Sequence, residues 1–127
     1  MKIVFPTDDG ETISALLGMA RDYTLVDLEA AHVPRREQRP KLDHENGRHE
    51  HGGHRHASIM LEAVMDCQVL ISRGMGQPAY DHAVAGGLQV ILTGERSIGA
   101  ALAAYRAGRL LSNPRRVHPH YEGRGRQ

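Results

Sequence analysis

The sequence is poor in cysteine and aromatic residues, with one Cys, no Trp and five aromatic side chains among 127 residues. The single Cys67 excludes an intrachain disulfide framework and a metal site made only of one chain's cysteines. No apolar run approaches the roughly 18 residues that cross a bilayer. The stretch between Lys2 and Asp8 is too short for a secretory signal. We therefore expect a cytoplasmic protein without a membrane partner.

An excess of charge of one sign is also lacking. Lys and Arg total 16 and Asp and Glu total 15, which leaves a formal net charge of +1. A balance of this kind creates no global field that would hold a nucleic acid or an anionic membrane. We therefore expect no nucleic-acid partner.

Histidine, by contrast, is abundant, and five of the nine histidines lie in one stretch between Glu37 and His56. The only apolar residue of that stretch is Leu42, and it also contains Pro40 and three glycines. Such a segment buries too little surface to offset the entropy of ordering it. The composition predicts a His-rich mobile loop over residues 37–56.

Hydrophobic patterning predicts a single α/β domain over residues 1–111, followed by a flexible basic tail over residues 112–127. The alternation of helices and strands in the second half implies parallel strands with right-handed crossovers. The first half adds a hairpin to the same sheet, with a short edge strand before Pro34. The predicted strands are Lys2–Pro6, Tyr23–Leu28, Ala31–Val33, Gln68–Ser72 and Leu88–Leu92. The predicted helices are Ala57–Asp66, Pro78–Ala85 and a third that Ser97 caps and Gly108 ends.

The first segment that invites a chemical interpretation joins a buried strand to a helix. Gly74 and Gly76 flank Met75 and permit close backbone approach, while the helix start offers unpaired N–H groups and Arg73 adds positive charge. If the first strand pairs with Gln68–Ser72, the turn that contains Thr7, Asp8 and Asp9 meets this loop. Ligands favour such an edge of an open α/β sheet. A tight strand-to-helix turn without a ligand explains the same residues.

The His-rich loop is the second such segment. Its histidines are His44, His49, His51, His54 and His56. Imidazole suits Zn, Ni, Cu and Fe(II), and each H-x-H pair can chelate one ion. A flexible polar loop fixes no geometry, so we expect poor selectivity among metals. A solvated linker with incidental metal affinity is the alternative interpretation.

Two further interpretations are weaker. Cys67 is by default a small buried hydrophobe, and it becomes a plausible ligand only if it faces the loop of residues 74–76. Asp8 and Asp9 raise the hypothesis of a phosphoryl-transfer enzyme, whose two-metal chemistry requires several carboxylates to converge on paired ions. No Ser-His-Asp or Cys-His arrangement is recognisable.

Five stretches recur in the order that characterises a known family. They are Met1–Gly10, Gly52–His56, Asp66–Ile71, Gly74–Gly76 and Ala101–Gly108. In this order the chain resembles the dinitrogenase iron–molybdenum cofactor biosynthesis family, from Met1 to about Leu111. Family members often carry a His-Phe-Gly step after the first turn, where this chain has Leu16-Leu17-Gly18.

The resemblance implies a ribonuclease-H-like α/β fold with a mixed five-stranded sheet. It also implies a non-enzymatic carrier of an iron–sulfur-type cluster, and the histidines of the loop make a metal ion such as Zn, Ni or Fe a further possible cargo. Its partners would be metallocluster donor or acceptor proteins, and a homodimer could share the cluster. The expected docking residues are Thr7, Asp8, Asp9, Arg73, Gly74, Met75 and Gly76. The expected metal ligands are His49, His51, His54, His56 and Cys67, and binding should weaken below about pH 6 as the imidazoles protonate. A metal-free interaction or regulatory domain is the alternative function.

Overall fold

The computed structural model describes residues 1–28, 35–41 and 53–118. Its strands are β1 (Lys2–Thr7), β2 (Asp22–Asp27), β3 (Arg35–Pro40), β4 (Val69–Ser72), β5 (Met75–Gly76), β6 (Gln89–Leu92) and β7 (Val117–His118). Its α-helices are α1 (Gly53–Leu61), α2 (Gln77–Ala85) and α3 (Ile98–Arg106), and short 3₁₀ helices cover Leu17–Met19, Glu62–Val64 and Pro114–Arg116. No helix among the described residues has the length and apolar character that a bilayer crossing requires.

Five strands form one mixed sheet in the order β3-β2-β1-β4-β6. The β1 strand pairs antiparallel with β2 and parallel with β4, and β4 pairs parallel with β6. This arrangement confirms the predicted mixed five-stranded α/β sheet. It also meets the condition posed for the site, since the first strand pairs with the strand that ends at Ser72. The β5 and β7 strands form a separate parallel pair.

Alternating side chains of the central strands fill two apolar clusters, one on each face of the sheet. Val4 and Leu70 belong to the cluster that packs under α1 and α2. Ile3, Phe5 and Ile71 belong to the cluster under α3. Because β1 and β4 are covered on both faces, their sequences are continuously apolar rather than alternating. The sheet is therefore the middle layer of three.

The edge strand differs from its prediction. The strand expected at Ala31–Val33 lies outside the described residues, and the observed edge strand β3 is Arg35–Pro40, which pairs antiparallel with β2. Residues 37–40 of the predicted loop are thus strand. Their polar sequence shows no apolar alternation, and the strand is held instead by backbone pairing with β2 and by Arg39. The Arg39 guanidinium donates to the Asp66 carboxylate at 2.9 Å and to the Ala63 carbonyl at 2.6 Å.

The first helix and the tail also differ from their predictions. The helix expected at Ala57–Asp66 is α1 at Gly53–Leu61, followed by the 3₁₀ helix Glu62–Val64, so the last residues of the predicted loop are helical. The described part of the predicted tail packs on the domain: the Asn113 N–H donates to the Leu92 carbonyl at 2.9 Å, and β7 pairs with β5.

The buried hydroxyl of Tyr23 gives a stability test of the contact between sheet and α1. It donates to the Met60 carbonyl at 2.8 Å, so Tyr23→Phe leaves that carbonyl without this donor. We expect a loss of about 1 kcal/mol in the free energy of unfolding, measured by urea denaturation. The control is Tyr105→Phe, whose hydroxyl lies at the surface beside the Met1 sulfur. Equal unfolding midpoints for Tyr23→Phe and wild type would contradict the assignment.

Candidate functional site

The carboxyl ends of β1 and β4 meet at one edge of the sheet, here called the carboxyl edge. From this edge the chain leaves β1 toward β2 on one side and leaves β4 toward β6 on the other, as the strand order shows. Neighbouring strands whose connections diverge in this way open a crevice where α/β proteins bind ligands. The structure thus brings the turn of Thr7–Gly10 and the loop of Arg73–Gly76 to the same edge, as the sequence predicts.

The turn after β1 is held by its own side chains. The Thr7 hydroxyl accepts from the Gly10 N–H at 2.9 Å. The Asp9 carboxylate accepts from the N–H groups of Thr12 and Glu11 at 2.8 and 2.9 Å, and from the Thr12 hydroxyl at 3.0 Å. These donors, led by the Thr12 N–H, lower the pKa of the Asp9 carboxyl to about 2. Asp9 is therefore a fixed anion that shapes the turn.

Asp8 has a different partner from its neighbour. Its carboxylate accepts from the Arg21 N–H at 2.9 Å and so ties the turn to the start of β2. The two adjacent carboxylates thus serve separate backbone groups, which disfavours the phosphoryl-transfer hypothesis. Within residues 1–28, 35–41 and 53–118, no group of three His, Cys, Asp or Glu side chains is arranged to hold a metal ion.

Residues 11–17, here called the strap, cross the carboxyl edge. The Ile13 N–H donates to the Arg96 carbonyl at 2.7 Å, and the Ser14 N–H donates to the Pro6 carbonyl at 2.9 Å. The strap then reaches the glycine loop, where the Leu17 N–H donates to the Gly74 carbonyl at 2.9 Å. The strap therefore links the segment before α3, the end of β1 and the loop after β4 across the carboxyl edge.

Gly74 is the point of closest approach in this edge. A Cβ at residue 74 would lie 2.8 Å from the Ala15 carbonyl oxygen, 3.2 Å from Leu16 Cδ2 and 3.2 Å from His118 Nε2. The neighbouring Ser72 hydroxyl donates to the Gly74 carbonyl at 2.9 Å. The absence of a side chain at Gly74 is thus what lets the strap and an imidazole reach the loop.

The loop leads into α2, whose first turn offers backbone donors. No side chain caps this helix at Gly76, and Pro78 lies in its first turn. Beside it, Arg73 Nη1 donates to the Ile13 carbonyl at 3.4 Å. Arg73 Nε and the Ser14 hydroxyl are buried without a hydrogen-bond partner among the described residues. Unsatisfied polar atoms of this kind are rare in folded proteins.

Two residues of the C-terminal segment complete this edge, and the sequence analysis missed both. Arg116 Nη1 donates to the Arg73 carbonyl at 3.2 Å, and His118 pairs in register with Gly76. Their segment, residues 112–118, has one apolar residue, Val117, among Ser, Asn, Pro, Arg and His, so its pattern predicts a solvated tail. A two-residue strand leaves no periodicity that would have indicated its docking.

The His-rich segment begins at the carboxyl edge as well. Since β3 and β1 are both antiparallel to β2, they end at the same edge of the sheet, with β2 between them. Pro40 pairs with Asp22, and Asp22 pairs with Thr7. Next along the chain, the buried Lys41 ammonium donates to the Gly18 carbonyl at 3.0 Å. His44, His49 and His51 lie outside the described residues, and His54 and His56 lie in α1.

Cys67 lies at the opposite edge, with the whole of β4 between it and the glycine loop. The following N–H, that of Gln68, donates to the carbonyl of Lys2, the first residue of β1. Burial, aided by the negative charge of Asp66, raises the pKa of the Cys67 thiol to about 12. Its position at the opposite end of β4 therefore separates Cys67 from the ligand set proposed for the carboxyl edge.

The crowding at Gly74 gives a mutational test of the edge. Gly74→Ala drives a Cβ against the Ala15 backbone, which has no flexible side chain to move aside, and should cost about 1–3 kcal/mol of unfolding free energy. The matched control is Gly76→Ala, whose Cβ would lie 3.7 Å from Pro78, an ordinary contact. Urea denaturation should separate the two variants; equal stability would show that the strap does not press on the loop.

Most of the chain matches one known protein family. The family model described as dinitrogenase iron–molybdenum cofactor matches residues 1–108. No curated protein matches the chain.

Solved structures share the fold. The apo form of the orange protein from Desulfovibrio gigas superposes with a TM-score of 0.68 at 17% identity, covering 88% of this chain and 92% of that one. A candidate NifB protein from Thermotoga has a TM-score of 0.63 at 19% identity, with 87% and 91% covered. A candidate dinitrogenase from Methanocaldococcus jannaschii has a TM-score of 0.62 at 13% identity, with the same coverage. With the family model spanning most of its length, the chain belongs to the dinitrogenase iron–molybdenum cofactor family.

Proposed function

We propose that this protein is a non-enzymatic carrier that binds an iron–sulfur-type metallocluster or a metal ion at the carboxyl edge. The observation that carries the proposal is the convergence on this edge of the Thr7–Asp9 turn, the Arg73–Gly76 loop and the start of the His-rich segment after Lys41. A cluster donor or acceptor protein would be its partner. The family's description, which concerns a metal cofactor, supports the same class of cargo.

The donor set of the edge fits an anionic metal group. The uncapped first turn of α2 offers backbone N–H groups, and helix N-termini stabilise negative charge. Arg73 lies beside it with a buried Nε that has no partner in the described part of the chain. These groups would hold the cargo by charge and hydrogen bonding.

The imidazoles of the His-rich segment would supply metal ligands. His49, His51, His54 and His56 carry imidazoles, a donor type that suits iron, zinc and nickel. Lys41 fixes where the segment leaves the fold, because its ammonium also contacts the Leu17 carbonyl at 3.3 Å and the sulfur of Met60 in α1 at 3.9 Å. Lys41, the last described residue before the segment, is thereby held next to the strap.

Anaerobic reconstitution with ferrous iron and sulfide tests the proposal. Wild type should gain visible absorption and bound iron, measured by metal analysis after desalting. A variant with His49, His51, His54 and His56 replaced by alanine should retain far less iron, because it loses four imidazole donors. The matched control is His82→Ala, a histidine of α2 outside the proposed ligand set, which should load like wild type.

Three results would count against the carrier. A colourless wild-type protein without iron would remove the cluster. Equal iron retention by wild type and the four-histidine variant would remove the imidazole ligands. Equally poor binding of Zn²⁺ or Ni²⁺ by those two proteins would favour the metal-free interaction or regulatory domain.

A further inference from the structure

Ser14, Ala15 and Leu16, in the middle of the strap, are here called the lid, and they lie between two buried anchors. The anchors are Ile13 and Leu17, which pack in the apolar clusters on opposite faces of the sheet. Among the described residues the lid adds no side chain to either cluster, and Ala15 and Leu16 are exposed while Ser14 is half-buried. A short stretch with few buried contacts is thus fixed at both of its ends.

The lid closes the space above the glycine loop. The Ala15 carbonyl oxygen would lie 2.8 Å, and Leu16 Cδ2 3.2 Å, from a Cβ on Gly74. The lid bonds the sheet through the Ser14 N–H, which donates to the Pro6 carbonyl at 2.9 Å. While the lid stays in this position, a bound group cannot reach the loop at Gly74.

Two polar atoms lack partners while the lid is closed. The Ser14 hydroxyl and Arg73 Nε are buried without a hydrogen-bond partner among the residues that the structure describes. The Arg73 guanidinium lies against the strap, since its Nη1 donates to the Ile13 carbonyl at 3.4 Å. Leaving a buried polar group unpaired costs free energy, so the closed position is less stable than its packing alone suggests.

We infer that the lid moves: residues 14–16 lift from the glycine loop to admit cargo, while Ile13 and Leu17 stay in place. This step rests on the proposed carrier function and adds a conformational change to it. A local opening of this kind breaks few contacts, so it occurs far more often than unfolding of the domain. Cargo that binds the open form better than the closed form shifts the population toward the open form.

Amide hydrogen exchange of the unloaded protein tests whether the lid opens. After correction for intrinsic rates, the Ser14 amide should exchange at least about tenfold faster than those of Ile13 and Gln89, because its protection ends when the lid lifts. The Ile13 and Gln89 amides donate to backbone carbonyls outside the lid at 2.7 and 3.0 Å, and they should open only with the anchors and the sheet. Equal protection at all three amides would show that the lid does not open by itself, which overturns the inference.

Chelator competition after loading with ferrous iron and sulfide tests whether opening controls binding. Leu16→Ala removes a side chain that rests on the glycine loop in the closed form, so it should raise the open population. Removing its iron should require at least about threefold more chelator than for wild type, because the apparent dissociation constant falls as the binding-competent fraction rises. The matched control is Met19→Ala, whose side chain is 74% exposed beyond the Leu17 anchor, and it should match wild type.

A readout on loaded wild type separates a moving lid from a fixed part of the binding site. Exchange measured by mass spectrometry in a peptide that contains residues 14–16 should become faster on loading, because the cargo keeps the lid open. Slower or unchanged exchange there, or iron retention by Leu16→Ala equal to or below that of wild type, overturns the inference and leaves the carrier function standing. Failure of wild type to take up iron overturns the carrier function, and the role of the lid with it.

Discussion

The parallel pairing of β1 with β4 is the contact on which the rest of the structure depends. Ile3 pairs with Val69 and Val4 with Leu70, and all four side chains are buried between helices on the two faces of the sheet. This pairing makes the turn after β1 and the loop after β4 neighbours, although they are more than sixty residues apart in the sequence. If β1 and β4 were not neighbours in the sheet, the turn after β1 and the loop after β4 would lie apart.

The carboxyl edge is held mainly by main-chain contacts. The strap bonds the backbone of β1, of the loop after β4 and of the segment before α3, and the C-terminal segment bonds the backbone of β6 and of the loop after β4. Hydrogen bonds of this kind satisfy groups that burial would otherwise leave unpaired. They also hold the loop around Gly74 against the strap, beside the start of α2. The proposed carrier would need an edge that is held in place in this way before its cargo arrives.

Much of this architecture could be predicted because the central elements are apolar at regular spacing. The strand ending at Ser72 and the helix ending at Ala85 appear nearly as expected, and the Ser97 cap is confirmed by its bond from the Ala100 N–H at 2.9 Å. The strand β3 could not be predicted, because its residues are polar and its stability comes from β2 and from the Arg39 contacts.

Only part of the candidate site could be predicted from the sequence. The meeting of the Thr7–Asp9 turn with the Gly74–Gly76 loop followed from strand adjacency. The separation of Cys67 from that loop depends on which end of β4 each occupies, which the sequence analysis left open. The position of His118 could not be predicted, because local sequence patterns do not show that residues 117–118 pair with residues 75–76, some forty residues earlier.

The central claim is that the cargo binds at the carboxyl edge and not at the edge that contains Cys67. Backbone amide spectra of the protein, recorded before and after loading with iron and sulfide, test this claim most directly. If the cargo binds at the carboxyl edge, paramagnetic broadening should concentrate on the amide signals of residues 7–10 and 74–76. The amide signals of residues 66–68 should stay sharp. Broadening centred on residues 66–68, with sharp signals around Gly74, would contradict it.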